Sequence, residues 1–203
     1  MTADRRIVAN FFVSLDGVVE APDQWHYEYF DAEMGAVIAA GMDRADGLLM
    51  GGRLYREWAA YWPANESADF GGFMNGIPKY VVSRTLERTD WANATLLREY
   101  PATRLRELKA QPGGDIVMSG SATLVRWLLA EGLLDELNLL VHPVVVGSGA
   151  RLFPAGTPKV ALELTGSRVF GSGVLYLVYR PAGARSREEA TDVVAELGTP
   201  SLA

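Results

Sequence analysis

The fold is decided by residues 115–153, DIVMSGSATLVRWLLAEGLLDELNLLVHPVVVGSGARLF. An apolar run opens this stretch and predicts a strand, and an apolar segment with helical spacing follows a turn of small residues. Ser121 is predicted as the N-cap of that helix and Gly132 as the glycine that ends it. A strand, a tight turn and a helix N-terminus in this order bring free backbone N–H groups and the positive end of a helix dipole to one point. The stretch therefore predicts an anion site, most simply for a phosphate.

The second half of the stretch predicts a further strand over residues 136–146, which contains Pro143. The glycine turn after it, Gly147-Ser148-Gly149, begins like a dinucleotide-binding fingerprint. It lacks the third glycine, and Pro154 falls where the helix of that motif would run. We interpret it as the turn by which the chain leaves the strand.

The composition is that of an ordinary globular domain with few options for metal or thiol chemistry. Of 203 residues, 49% are hydrophobic and 22% are charged, and the formal net charge is −6. This charge argues against a protein that coats nucleic acid, and no apolar run reaches the roughly 20 residues that span a bilayer. The chain has no cysteine and two histidines, which excludes disulfides, thiolate nucleophiles and a zinc site of several histidines. We expect no metal.

The two ends of the chain differ from its middle. The N-terminal residues carry charge and then only a short apolar run, without the long hydrophobic region of a signal peptide, so we interpret residues 6–15 as a first strand and expect a cytoplasmic protein. One domain is predicted over residues 1–181, followed by an extension over residues 182–203. A capping box at Ser186 and apolar residues at helical spacing predict a short amphipathic helix there, packed on its own domain or on a partner subunit.

Two more strand ends carry residues suited to phosphate. The short apolar run over residues 48–50 leads into Gly51-Gly52-Arg53, and a helix is predicted from Leu54. A later strand ends in Ser83 and Arg84, and the guanidinium fork of arginine fits a phosphate. The alternative for Arg84 is a solvated charge at a strand end.

Aromatic and acidic residues crowd the long loop after the first strand, a favourable place for a substrate lid. Trp25, Tyr27 and Tyr29 either stack on a flat ligand or cover the sheet. Asp31 precedes an apolar pattern with helical spacing, and it is either the N-cap of that helix or a carboxylate directed into a site.

The order of the elements predicts an α/β fold. Strands alternate with helices in the first part of the chain, whereas the last strands follow each other with short links. The final pair, over residues 160–170 and 174–179, is joined by Gly171-Ser172-Gly173. This order is typical of a mostly parallel sheet that antiparallel strands complete, with helices on its faces.

Several of these pieces resemble the dihydrofolate reductase-like superfamily, above all the stand-alone relatives of the reductase domain of bacterial riboflavin biosynthesis. The resemblance covers residues 6–181 and depends on the order of its motifs. The matching segments are Ser14-Leu15-Asp16-Gly17, Leu48-Leu49-Met50-Gly51, Tyr61-Trp62-Pro63, residues 78–86, residues 120–137, His142-Pro143-Val144-Val145 and residues 149–153. The resemblance implies a three-layer fold, with a mixed, mostly parallel sheet between helices.

The resemblance also implies a reductase that binds NADPH across the strand ends. We expect a homodimer, partly from the resemblance and partly from the apolar run over residues 137–146 and the predicted tail helix. Hydride would pass to a small heterocyclic or ribosylamino substrate, such as a pterin or a riboflavin precursor. The residues implied to contact NADPH are Gly51, Gly52, Arg53, Leu54, Ser83, Arg84, Gly120, Ser121, Ala122, Thr123 and Leu124. Among these, Ser83 and Arg84 would hold the ribose 2′-phosphate, and residues 120–124 would hold the pyrophosphate at the helix N-terminus.

At the substrate end, Asp16 would lie where the first strand gives way to the nicotinamide-side loop. The catalytic proton would come from Asp16, from an acid near Asp31 or from water, and a carboxyl donor would require a raised pKa. The ring of the substrate would stack on the aromatic side chains of the loop, which are Trp25, Tyr27 and Tyr29.

The chain departs from the family pattern at two places. The family usually carries Gly-Arg-x-Thr after the second strand, whereas this chain has Gly51-Gly52-Arg53-Leu54, which displaces the arginine by one position and removes the threonine. The carboxylate of the first helix has three candidates, Glu28, Asp31 and Glu33. The alternative hypothesis is a dimeric ligand-binding protein that keeps the fold with little or no turnover.

Overall fold

A computed structural model describes residues 5–68 and 70–182, and the helix predicted after Ser186 lies outside these residues. The strands are β1 Ile7–Ser14, β2 Ala45–Gly51, β3 Lys79–Val82, β4 Ala94–Leu97, β5 Asp115–Ser119, β6 Glu136–His142, β7 Leu162–Val169 and β8 Leu175–Pro181. The helices are α1 Ala32–Arg44, α2 Gly52–Tyr61, α3 Gly71–Gly76, α4 Pro101–Lys109 and α5 Ala122–Ala130, with short 3₁₀ turns at Pro22–Gln24, Tyr27–Tyr29 and Trp62–Ala64.

The eight strands form one mixed sheet in the order β4-β3-β2-β5-β1-β6-β8-β7, which confirms the predicted fold class. The first six strands in this order run parallel to one another. β8 pairs antiparallel with β6, and β7 pairs antiparallel with β8. After β4 the chain returns to the middle of the sheet, where β5 lies between β2 and β1. The carboxyl ends of β3, β2, β5 and β1 therefore meet at one edge, which is where open α/β sheets bind ligands.

Helices cover both faces of the sheet and give the fold its three layers. One face packs on α4 and α5, through core side chains such as Leu105 and Leu128. The other face packs on α2 and α3 through Tyr55 and Met74, and on α1 through Met34. Burial on both faces explains why the strand sequences are continuously apolar rather than alternating. Within the described ranges, no helix is long and apolar enough to cross a membrane.

The structure corrects the predictions at several places. β6 ends at His142 and not at Val146, because Pro143 has no N–H to continue the ladder. The stretch before residue 76 contains the short helix α3, for which the sequence carries no signal, and α2 begins at Gly52 rather than at Leu54. β6 lies between β1 and β8, so its apolar side chains are covered within this chain and do not argue for a dimer.

Lys79 is a charged side chain inside the core at the start of β3. It is fully buried, and its ammonium donates to the carbonyl oxygens of Asn75, Ile77 and Ala92 at 3.1, 2.8 and 3.1 Å. The ammonium also lies 4.4 Å from the centroid of the Trp91 ring. Burial lowers the pKa of Lys79 to about 8, so the group still carries its proton at neutral pH. Lys79 thus ties the loop before β3 to the loop before β4.

Replacing Lys79 with methionine is expected to lower the free energy of unfolding by about 2–4 kcal/mol. The new side chain keeps the apolar stem but leaves three buried carbonyl groups without a donor. Denaturant unfolding measures the change. Lys159→Met, at an exposed position, is the matched control and is expected to change stability by less than about 0.5 kcal/mol. An equal effect of the two substitutions would contradict the structural role of Lys79.

Candidate functional site

The three turns that the sequence marks as phosphate sites come together at the carboxyl edge of the sheet. They follow β2, β3 and β5, and β2 is the neighbour of both other strands. The Gly51 N–H donates to the Ser121 hydroxyl at 3.0 Å. A Cβ atom on Gly52 would lie 2.6 Å from the Ser83 hydroxyl oxygen, so these two turns touch as well.

The N-terminus of α5 has an uncommon backbone conformation. Gly120 and Ser121 both lie in the left-handed region, with φ of 87° and 60°. The Ser121 hydroxyl does not cap its own helix, which corrects the predicted N-cap role, because it accepts instead from Gly51. The N–H groups of Ala122 and Thr123 have no acceptor among the described residues. The helix therefore presents free donors at the edge where the turns after β2 and β5 meet.

The turn after β3 carries Arg84, which the sequence identified, and is contacted by Arg56 of α2, which the sequence did not identify. The Ser83 hydroxyl accepts the N–H groups of Thr85 and Leu86 at 3.2 and 3.1 Å and so shapes the turn. Arg84 is exposed and forms no salt bridge within the described part of the chain. Arg56, from α2, donates to the Thr85 hydroxyl at 3.1 Å. Two guanidinium groups thus belong to one polar turn.

Arg56, and not Arg53, is the arginine of α2 that reaches the turn after β3, although the sequence suggested only Arg53. Arg53 is 79% exposed and pairs with Glu57 at 3.1 Å and with Glu20 at 3.9 Å. Arg56 lies four positions after Gly52, hence on the same face of α2, and that face borders the turn after β3. The sequence signal for Arg56 is its position one helical turn after Arg53, the arginine that is displaced from its place in the family pattern.

Replacing Gly52 with alanine is expected to displace the turn after β3 and so to weaken, by about tenfold, binding of the NADPH that the family resemblance implies. The added Cβ would lie 2.6 Å from the Ser83 hydroxyl and 2.9 Å from its Cβ, so the turn that carries Arg84 has to move. Calorimetric titration measures the loss. Gly41→Ala, in α1 with nothing within 4 Å of the new Cβ, is the control that should leave affinity unchanged. Equal affinities of the two variants would contradict the close contact.

Asp16 is held at the carboxyl end of β1 by several hydrogen bonds. Its carboxylate accepts from the Ser14 hydroxyl at 2.7 Å and from the N–H groups of Val146 and Gly147 at 3.1 and 3.0 Å, and it pairs with Arg151 at 3.3 Å. The Ser14 hydroxyl, followed by the Val146 N–H, lowers the pKa of Asp16 from 3.8 to about 2. The raised pKa that a proton donor requires is not found here.

Asp31 caps α1, and the N-cap alternative is the one that the structure confirms. One carboxylate oxygen accepts from the Met34 N–H at 2.8 Å and the other from the Ser172 N–H at 3.2 Å. The Met34 N–H is the main reason why the pKa of Asp31 is lowered. Glu33 accepts from the Gly171 N–H at 2.8 Å and pairs with Arg168, and the pKa of Glu33 is lowered as well. Neither acid is poised to give up a proton.

The aromatic loop packs against the ends of β1 and β6. Two histidines meet there, neither of which the sequence marked as a site residue. Trp25 and Tyr29 lie 5.3 and 5.7 Å from the His142 ring, centroid to centroid. The Tyr27 ring lies 4.2 Å from the His26 ring, tilted against it, and Tyr27 is 67% exposed. The histidines are 116 positions apart in sequence, so only the fold brings them together. Within the described residues, no group of three acidic or histidine side chains is arranged to hold a metal ion.

Comparison with known proteins finds relatives of the same fold. The model of the RibD C-terminal domain family matches residues 5–176. The protein YyaP of Bacillus subtilis (strain 168), itself uncharacterized, is 32% identical over 180 residues, which cover 86% of this chain and 94% of that protein.

Two solved structures show the same architecture. A protein assigned to riboflavin biosynthesis in Shewanella sp. PV-4 has a TM-score of 0.70 and 19% identity, over 88% of this chain and 99% of that one. Dihydrofolate reductase from Enterococcus faecalis, solved as a complex that contains NADP(H), has a TM-score of 0.54 and 13% identity, over 90% and 100%.

Proposed function

Because this chain belongs to the family of the RibD C-terminal domain, we propose that it is an NADPH-dependent reductase acting on a small heterocyclic or ribosylamino substrate. The observation that carries the proposal is the meeting of three polar turns after β2, β3 and β5. Each turn alone has an ordinary structural explanation. Together they form one surface with free helix N–H groups at one end and guanidinium groups at the other.

The residues at this edge suit the phosphate groups of the cofactor. The N–H groups of Ala122 and Thr123 would bind the pyrophosphate, and Gly120, which has no side chain, would let it approach the helix. Ser83 and Arg84, with Arg56 as a second cation, would bind the 2′-phosphate that distinguishes NADPH from NADH. Bound NADPH supplies the hydride, and the protein supplies orientation and exclusion of water. The remaining contacts would come from Gly51, Gly52, Leu54, Ser121 and Leu124.

We assign Asp16 and Asp31 a positioning role rather than proton donation. Their lowered pKa values keep both carboxylates ionised at neutral pH. Asp16 would join the loop after β1 to the loop after β6, and Asp31 would join α1 to the hairpin between β7 and β8. Trp25, Tyr27 and Tyr29 lie on the loop between these anchors, where they would contact a flat substrate.

Turnover is tested by following NADPH oxidation with pterins, riboflavin precursors and aldehydes. Oxidation with at least one planar heterocycle is the expected result. Tight NADPH binding without oxidation of any member of the panel would contradict the reductase and support the alternative, a binding protein. The lowered pKa values of the acids near the sheet edge are the observation that favours this alternative.

The reductase unit is proposed to be residues 1–181, with residues 182–203 as an extension, and to act as a homodimer. Exposed apolar side chains on the two strands at the edge of the sheet favour a partner there, among them Leu164, Val169 and Leu175. Light scattering is expected to give about twice the chain mass of 22.1 kDa. A mass equal to that of one chain would contradict the dimer.

A further inference from the structure

His142, at the end of β6, is a fully buried side chain with one nitrogen left without a partner. Its Nδ1 atom lies 2.8 Å from the carbonyl oxygen of Leu140, which only accepts hydrogen bonds. Nδ1 therefore carries the hydrogen, and Nε2 keeps a free lone pair. Nε2 finds no donor among the residues that the structure describes. A buried acceptor without a donor is unfavourable, so this unpaired nitrogen calls for an explanation.

Aromatic rings surround the His142 imidazole. The rings of Phe12, Trp25 and Tyr29 lie 5.7, 5.3 and 5.7 Å from His142, each nearly perpendicular to it, and His26 lies 6.1 Å away. His26 stacks on Phe12 at 4.5 Å, and its Nδ1 atom also lacks a partner. Burial lowers the pKa of both imidazoles, so both are neutral at pH 7. An apolar cage with hydrogen-bond acceptors inside is suited to a flat ring that carries a donor.

The cover of the cage is a segment that we call the strap, residues 21–30. Among the described residues, all hydrogen bonds of the strap stay within it or reach back to the adjoining residue, as when the Trp25 indole N–H donates to the Glu20 carbonyl at 3.1 Å. The strap begins at Ala21, which has a left-handed φ of 43°. Before the strap, Val19 bonds to Ala150, and after it Asp31 caps α1. The strap can therefore lift between two fixed ends without breaking a hydrogen bond to the sheet.

We propose that His142 Nε2 accepts a hydrogen bond from a ring N–H of the substrate, a planar nitrogen heterocycle that takes the place of the Trp25 ring when the strap lifts. The inference rests on the proposed reductase function and names the substrate end of its site. A ring N–H of the substrate would donate to the Nε2 lone pair of His142, which has no donor among the described residues while the Trp25 ring fills the cage. Phe12 and Tyr29 then contact the ring, and the strap closes over it.

The test compares two ligands that differ only at the ring nitrogens, in calorimetric titrations of the NADPH-loaded protein. Diaminouracil carries ring N–H groups, and its analogue with both ring nitrogens methylated does not. Diaminouracil is expected to bind at least about tenfold more tightly, the equivalent of one buried hydrogen bond. Equal affinity of the two ligands, or binding of neither, would overturn the proposal.

The variant His142→Phe should remove the preference for diaminouracil and leave the Kd for NADPH unchanged. The matched control is His26→Phe, at the other buried histidine, which should keep the preference. Loss of the preference in the control alone would move the acceptor to His26 and overturn the assignment. If His142→Phe does not fold, His142→Gln replaces it. The glutamine offers an amide oxygen as acceptor and should keep part of the preference for diaminouracil. The comparison of the two ligands in the unchanged protein tests the proposal without any variant. NADPH binding in the absence of either ligand tests the reductase proposal separately.

Discussion

Replacing Arg84 with alanine is expected to raise the Kd for NADPH by roughly 10- to 100-fold and to leave the Kd for NADH unchanged. A charge-assisted hydrogen bond to the 2′-phosphate is worth about 1.5–3 kcal/mol, and NADH has no phosphate at that position. Arg84 is exposed, so its removal leaves no buried charge behind. Titration calorimetry with both nucleotides measures the two constants.

Arg88→Ala is the matched control for this experiment. Arg88 lies on the same loop, but its guanidinium already pairs with Asp90 at 3.1 Å, so its removal should not change either constant. Arg56→Ala should weaken NADPH binding as well, because Arg56 holds Thr85 in the turn that carries Arg84. Unchanged NADPH affinity in Arg84→Ala would make Arg84 a solvated surface charge.

Replacing Gly120 with alanine is expected to weaken NADPH binding by at least about tenfold and to lower the free energy of unfolding by about 1–2 kcal/mol. The residue has φ of 87°, which alanine adopts only with strain. The new Cβ would lie 3.4 Å from Leu54 Cδ2 and would narrow the gap between the turns after β2 and β5. Both effects are measurable on one preparation, by denaturant unfolding and by calorimetry.

Gly132→Ala is the control that shows which part of the Gly120→Ala effect comes from backbone strain and which part from damage to the cofactor site. Gly132 ends the same helix with φ of 63° and has nothing within 4 Å of the position of a Cβ. Its N–H donates to Leu129 and the next N–H donates to Leu128, which closes the helix as the sequence predicted. This variant should lose stability but keep its NADPH affinity. Equal affinities in Gly120→Ala and Gly132→Ala would contradict a cofactor site at the start of α5.

The sequence predicted the fold because its signals are local. Continuous apolar runs mark strands that are covered on both faces, and glycine, serine and arginine mark the ends of these strands. The residue type of Asp31 and the helical pattern after it offered the N-cap as one of two roles, and the structure shows that role. The order of these segments was enough to indicate a three-layer α/β domain.

The predictions failed where contacts between distant segments decide the structure. Ser121 has the residue type of an N-cap, but its hydroxyl bonds to Gly51, 70 positions earlier. α3 contains several glycines, which disfavour a helix, and Asn75 holds it through bonds to Trp62 and Trp91 at 2.9 and 2.8 Å. In the same way, a sequence cannot show that His26 meets His142.

The most direct test of the account is a calorimetric titration of the unchanged protein with NADPH and with NADH. One NADPH is expected to bind per chain, at least about tenfold more tightly than NADH, because only NADPH offers a phosphate to the turn with Ser83 and Arg84. Absence of binding by either nucleotide at millimolar concentration would contradict the proposed cofactor site at the meeting point of the three turns.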